Sequence, residues 1–184
     1  IPLEDHKGLL DTTEVTTDNR ASPSILFVQE VRDVEACEKL AAATGTNGLK
    51  VAVCSAFKDQ TGIPIFQQCA ILTTYPVVEA ACERWHSFGV VDPPRGYTYA
   101  LLDVDGELVA CYCVHLKSNL TRKETDRQMN ILKRELAASQ ILDRVKKSEA
   151  HARKKVSRFI IAGDFNTTLD DPLYVSEGTI RSLQ

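Results

Sequence analysis

At 184 residues with 43% hydrophobic content, the chain is long enough for one sizeable core and short for two, so a single domain over residues 1–184 is expected. It has no uninterrupted apolar run of about 18 residues and no basic-then-apolar leader, which argues against stable membrane insertion and reads as a soluble chain, cytoplasmic or exported. The formal charge of −3 conceals an asymmetry: between Lys117 and Arg158 there are 13 Lys/Arg against 5 Asp/Glu, a net of +8, while the rest of the chain carries −11.

The first two dozen residues are polar and aperiodic and read as loop. Ile25-Leu26-Phe27-Val28 is then a continuous apolar run of strand length, which predicts a strand covered on both faces. Residues 33–44 read as a helix stopped by Gly45. Segments near 50–57, 66–73, 76–81 and 98–104 are strand-like, punctuated by Thr61-Gly62 and Pro93-Pro94. Asp105-Gly106 lies between two apolar runs and predicts a hairpin whose second arm is Val109 to His115. Thr121-Arg122-Lys123-Glu124 fits a capping box, with the threonine accepting from the Glu124 N–H and the glutamate reaching back. The helix it opens would pack through Met129, Leu132, Leu136, Ile141, Leu142 and Val145 and turn its basic residues outward. That basic stretch is either a solvated face or an electrostatic footprint for a polyanion. Phe159-Ile160-Ile161-Ala162 is a last buried strand running into Gly163-Asp164-Phe165-Asn166. Hairpins together with helical connections predict an α/β (α+β) architecture with mixed sheets. Six cysteines, none in Cys-x-x-Cys spacing, read as free thiols in apolar segments, although an even count leaves disulfides open.

Three of these strands end in an ionisable group: Glu30, His115 and Asp164. Strand ends are where a rigid scaffold presents reactive groups, so three such endings point to one shared rim. Asp164 and Asn166 would face the same way if strand geometry continued through Phe165, and Gly163 would let a backbone or ligand come close. A hard carboxylate for a hard cation, a carboxylate to orient water, an amide for an oxyanion and a histidine near developing charge are what phosphoester hydrolysis requires. There is no Walker loop, Gly-x-Ser-x-Gly elbow, His-Glu-x-x-His pair or dinucleotide fingerprint, which argues against P-loop NTP hydrolysis, serine-type acyl transfer, zinc proteolysis and dinucleotide binding.

Four stretches in order resemble the endonuclease/exonuclease/phosphatase superfamily, which includes pancreatic deoxyribonuclease and neutral sphingomyelinases. They are Leu26-Phe27-Val28-Gln29-Glu30-Val31, Cys69 to Pro76, Val114-His115-Leu116-Lys117-Ser118-Asn119 and Ile161-Ala162-Gly163-Asp164-Phe165-Asn166. The resemblance implies a four-layer sandwich of two mixed β-sheets flanked by helices, and a metal-dependent phosphoester hydrolase of phosphodiesterase or nuclease type. It implies that Glu30 ligates Mg²⁺, with Mn²⁺ as the alternative ion, that Asp164 orients or activates water, and that Asn166 contacts the scissile phosphate beside His115. Lys117 and Asn119, in the same stretch as His115, are the expected substrate-binding residues, and the expected partner is a phosphoester, with nucleic acid among the candidates.

The sequence departs from the family in three places. Thr73-Thr74 stands where many members have Ser-Arg. A first-strand asparagine ahead of the Gln-Glu element is missing, Asn19 being too close to Glu30 to replace it. A further aspartate and a Ser-Asp-His element are absent after Asn166. With Met129 as its single methionine, the chain reads as part of a longer hydrolase lacking its first strand and C-terminal strands; the alternative is a catalytically incomplete relative acting as a binding module.

Overall fold

The computed structural model describes residues 22–59, 61–121, 123–151, 156–170 and 172–183. Asn19, set aside from sequence as a replacement for the first-strand asparagine, therefore lies outside the described residues. Seven strands and two helices follow one another as β1 (Ile25–Val31), α1 (Val34–Ala43), β2 (Lys50–Cys54), β3 (Gln68–Thr73), β4 (Val77–Arg84), β5 (Gly96–Val104), β6 (Glu107–His115), α2 (Glu124–His151) and β7 (Val156–Asp164), with short 3₁₀ turns at Pro172–Tyr174 and Arg181–Leu183. One sheet has the order β1-β3-β2 and is antiparallel; the other has the order β4-β5-β6-β7 and closes with a parallel β6–β7 pair. A parallel neighbour requires a crossover, and α2 supplies it.

Three apolar clusters define four layers. Cys37 and Ala41 of α1 pack with Ala70 and Leu72 of β3. Between the sheets, Cys69 and Ile71 meet Ala100, Leu102, Val109, Cys111 and Cys113. On the far side Tyr97, Tyr99, Ala110, Tyr112 and Val114 pack with Ala137 and Ile141 of α2. Alternate residues of β3 and β6 thus serve two different cores, which is why both strands are apolar without a break. Tyr112 sits 5.9 Å from Tyr97 and 5.1 Å from Tyr99, ring to ring, contacts worth about 1 kcal/mol each beyond area burial. The layering is the sandwich that the family resemblance implies, with one sheet mixed and the other antiparallel.

Local signals were read correctly at α1 and at the β5–β6 hairpin. The Asp33 carboxylate accepts from the Ala36 N–H at 2.9 Å as an N-cap. Asp105 and Gly106 have φ of 53° and 90°, the double left-handed turn that a two-residue hairpin demands. All six cysteines are free.

Helix α2 departs from expectation at both its start and its face. It begins at Glu124, so the glutamate occupies the first helical turn and bonds Arg127 and Gln128 instead of reaching back. The Thr121 hydroxyl accepts from the Lys123 N–H and donates to Asp126. The buried face runs through Asn130, Ile131, Arg134, Ala137, Ala138 and Ile141, while Leu132 is 46% exposed. Arg134 is fully buried because the Glu177 carboxylate receives its Nε and Nη2 at 2.7 and 2.6 Å. An apolar periodicity cannot register a buried arginine, because the compensating charge lies 43 residues away.

Gly163 is what lets β7 lie against β6. A Cβ there would meet the Val114 carbonyl oxygen at 1.9 Å, and its φ of 139° is one that side-chain-bearing residues rarely adopt. The close approach foreseen at this position is therefore to backbone. Gly163→Ala is expected to lower stability by roughly 3 kcal/mol, read as a fall in the urea midpoint; an unchanged midpoint would contradict this packing.

Candidate active site

The C-terminal ends of β1, β6 and β7 meet at one rim of the sandwich. There Glu30, Gln67, Pro94, Arg95, His115, Lys117, Ser118, Asp164 and Asn166 line a cavity of about 280 Å³. The parallel register sets His115 opposite Asp164 as the last pair of the β6–β7 ladder. Of the residues singled out from sequence, Glu30, His115, Lys117, Asp164 and Asn166 share this cavity.

Glu30 reaches it through an irregularity. Leu26 and Val28 pack toward α1, so simple alternation would send Glu30 the same way. The β1–β3 register instead shifts between Val28 and Val31, and Glu30 takes φ 58°. That bulge carries its carboxylate round to the rim. Gln29 points inward, its amide donating to the Cys113 thiol at 3.1 Å.

Asn166 is also placed by a left-handed turn. Strand β7 ends at Asp164, and Asn166 has φ 52°, so the strand geometry expected through Phe165 does not continue. The Asp164 Oδ1 accepts the Asn166 N–H at 2.8 Å, and the Asn166 amide donates to the Leu116 carbonyl at 3.0 Å. A short turn of this kind folds the Asn166 backbone onto the Asp164 carboxylate, in place of the strand that would have set the two side chains on one face.

His115 is 3% exposed, with Nε2 at 3.8 Å from Glu30 Oε1 and 3.7 Å from Asp164 Oδ2. These separations exceed hydrogen-bond length. Burial, and then the Arg95 guanidinium, push the imidazole below its ordinary pKa, against the pull of Asp164 and Glu30. At neutral pH the ring is uncharged, and the contacts are not ion pairs.

Four lining residues were not among the site residues named from sequence: Gln67, Pro94, Arg95 and Ser118, although Ser118 lies in one of the stretches that carry the resemblance. Arg95 follows the Pro93-Pro94 pair that reads only as turn punctuation. It is 8% exposed, has φ 69°, and donates to the carbonyls of His115 and Leu116 and, at 2.8 Å, to Gln67 Oε1. Gln67 in turn donates to Glu30 Oε1 at 3.2 Å. Lys117 has its pKa lowered by burial and then by the nearby cations Lys133, Arg95 and Arg134. The cavity thus brings together two carboxylates, Glu30 and Asp164, and two cations, Arg95 and Lys117.

Asn119 does not line the cavity. Its amide donates to the Asn166 carbonyl at 2.6 Å and accepts from Arg134. Thr73 and Thr74 lie at the opposite end of β3 from Gln68, bonded to the Ser24 carbonyl. Several basic residues of the +8 segment are neutralised within the fold: Arg127 by Glu124, Arg134 by Glu177, and Arg144 by Glu79 and Glu83. Two other clefts are larger, one of about 350 Å³ beside Phe88, Gln140 and Arg144 and one of about 550 Å³ between α1 and β2. In the first, Glu83 is taken up by Arg144 at 3.4 Å and by the Tyr97 hydroxyl at 2.6 Å, and the three ionisable strand ends converge on the smaller cavity.

Among the described residues no group of three or more His, Cys, Asp or Glu could hold a metal ion. The two carboxylates at the rim, Glu30 and Asp164, are a donor set that does not suit a closed zinc site. It fits Mg²⁺, which keeps several waters and takes one or two carboxylates; the side chains of Glu30 and Asp164 are 62% and 50% exposed toward the rim.

No family model and no curated protein matches this sequence. Solved structures do. TDP2 from C. elegans is 22% identical with a TM-score of 0.55, covering 79% of this chain and 39% of its own. Sphingomyelinase C from Streptomyces griseocarneus is 18% identical with a TM-score of 0.56, over 84% of this chain and 56% of its own. A double mutant of beta toxin from Staphylococcus aureus with bound magnesium ions is 20% identical with a TM-score of 0.62, over 87% and 57%. The chain has the fold of the endonuclease/exonuclease/phosphatase superfamily. It spans between 39% and 57% of the lengths of these three structures. No helix among the described residues is long and apolar enough to cross a membrane.

The His115 shift has a consequence for acid stability. An unfolded chain protonates this histidine near pH 6.5, whereas the folded protein resists doing so. Between that pH and the lower folded value the unfolded state binds more protons, so stability falls as pH is lowered through this window. Urea denaturation between pH 5 and 8 should show that slope in the wild type and a flatter one in His115→Gln; parallel curves would refute it.

Proposed function

We propose that this chain carries the hydrolytic site of a metal-dependent phosphoester hydrolase, with phosphodiesters, nucleic acids among them, as the substrate class. The observation that carries the reading is the convergence of Glu30, His115, Asp164 and Asn166, from three separate strand ends, around one cavity that Arg95 and Lys117 also line. Backbone geometry supports it. Four non-glycine residues among those described have positive φ, and three of them, Glu30, Arg95 and Asn166, line this cavity. Such strain persists where the surrounding structure enforces a functional geometry.

Glu30 would hold Mg²⁺, with Mn²⁺ as the alternative. When bound, the ion supplies neutralisation of charge on the phosphoryl oxygens. The likeness to a beta toxin solved with magnesium supports that choice of metal. Lys117 and Arg95 draw the anionic ester into the cavity. Asp164 accepts a proton from the attacking water as its oxygen bonds to phosphorus and the ester P–O bond breaks. Asn166 presents its amide to a phosphoryl oxygen, and His115, held neutral, donates from Nε2–H toward the same charge.

With bis(p-nitrophenyl) phosphate and Mg²⁺, the full chain is expected to release nitrophenolate and EDTA to stop it. Asp164→Ala should lower the rate by about 10²- to 10⁴-fold, the usual effect of removing a general base. Undiminished turnover in that variant would refute the assignment. A binding module would give no metal-dependent turnover at all, while the same ester, added in excess, would still protect the cavity from Lys117 acylation.

A further inference from the structure

Behind the cavity a buried arginine joins three segments that are distant in sequence. Arg134 projects from α2 with its whole side chain out of solvent. Its Nε and Nη2 bond both Glu177 oxygens at 2.7 and 2.6 Å, and Thr179 donates to the same carboxylate at 2.5 Å. The remaining arm, Nη1, donates to the Lys117 carbonyl at 2.9 Å and to Asn119 Oδ1. Tyr174 covers the guanidinium with its ring 5.5 Å away.

The consequence falls on Asn119. An amide can present either its oxygen or its nitrogen, and the two ends differ only in hydrogen bonding. Arg134 has donors and no acceptor, so it admits only the Asn119 oxygen and forces the amide nitrogen to the other side. That nitrogen grips the Asn166 carbonyl at 2.6 Å. Asn166 is the left-handed residue whose N–H caps Asp164 and whose own amide reaches the Leu116 carbonyl. A linear chain of bonds therefore runs Glu177, Arg134, Asn119, Asn166, Asp164, and the fork of Arg134 sets its polarity.

We propose that Arg134, held by Glu177, is a positioning residue that fixes the orientation of the Asn119 amide and through it the placement of Asn166 beside Asp164. Asn119 accordingly acts from behind the site and makes no contact with the ester. The kinetic part of this proposal rests on the phosphoester reading; the structural part does not.

Asn119→Asp separates the links. An aspartate still accepts from Arg134, yet it turns the donating N–H toward Asn166 into an oxygen facing an oxygen. In the full chain, side-chain amide NMR with Asn166 assigned is expected to show the Asn166 NH₂ pair displaced by Asn119→Asp and by Arg134→Lys, which keeps the charge and loses the fork. With bis(p-nitrophenyl) phosphate, kcat should fall about tenfold, the scale typical of groups that orient others at a site, and KM should hold. Asn166 resonances unmoved in both variants would overturn the proposal, as would a KM effect with kcat intact. Should neither variant fold, hydrogen exchange in the wild type decides: slowed exchange of the Asn119 NH₂ protons supports the proposal and exchange at the free-amide rate overturns it. Absence of turnover in the wild type would count against the phosphoester reading alone, since the NMR arm needs no activity.

Discussion

The parallel pairing of β6 with β7 is the constraint on which the rest of the site depends. It makes His115 and Asp164 the last rungs of one ladder, so a histidine and a carboxylate separated by 49 positions stand side by side without any flexible loop to hold them. The pairing is close enough that Gly163 has no room for a Cβ. The 28-residue helix α2 makes the parallel return, and its inner face is then obliged to pack on the same sheet. Register, glycine and helix are a single solution to bringing two strand ends to one rim.

Around that rim the backbone is bent where the chemistry is. Glu30, Arg95 and Asn166 all adopt left-handed φ, and each bend has a different partner enforcing it. A bulge against β3 turns Glu30, the Asp164 carboxylate and Asn119 amide hold Asn166, and four hydrogen bonds to His115, Leu116 and Gln67 hold Arg95. The buried cation is the common element of two of these arrangements. Arg95 binds the strand end from the cavity side, and Arg134 binds the following loop from the helix side, so residues 115–119 are clamped between two guanidinium groups. Burial and then Arg95 hold the His115 ring below its ordinary pKa, and burial followed by Lys133, Arg95 and Arg134 lowers that of Lys117.

Much of this was legible in the sequence, and the reason lies in locality. Strand runs, the helix stopped before Gly45 and the Asp105-Gly106 hairpin depend on residues within a few positions of one another, and each formed where expected. That Glu30, His115 and Asp164 close three apolar strands is also a local fact, and in a sandwich such ends converge by topology. Local logic failed at α2. Leu132 was placed on the buried stripe and Arg134 on the surface, and the structure reverses them because Glu177, far along the chain, neutralises the arginine.

By itself, then, the sequence determined the approximate extents of most elements and the three ionisable strand ends, consequences of side-chain period and turn chemistry, while the layering was legible only through the family resemblance. Only the tertiary structure decided how those ends face one another. The bulge that redirects Glu30, the turn that folds Asn166 back onto Asp164, and the recruitment of Arg95, Gln67 and Arg134 all arise from pairings between residues distant in the chain. Charge compensation and backbone strain of this kind act across space, and no period or spacing along a chain encodes which distant partner will meet them.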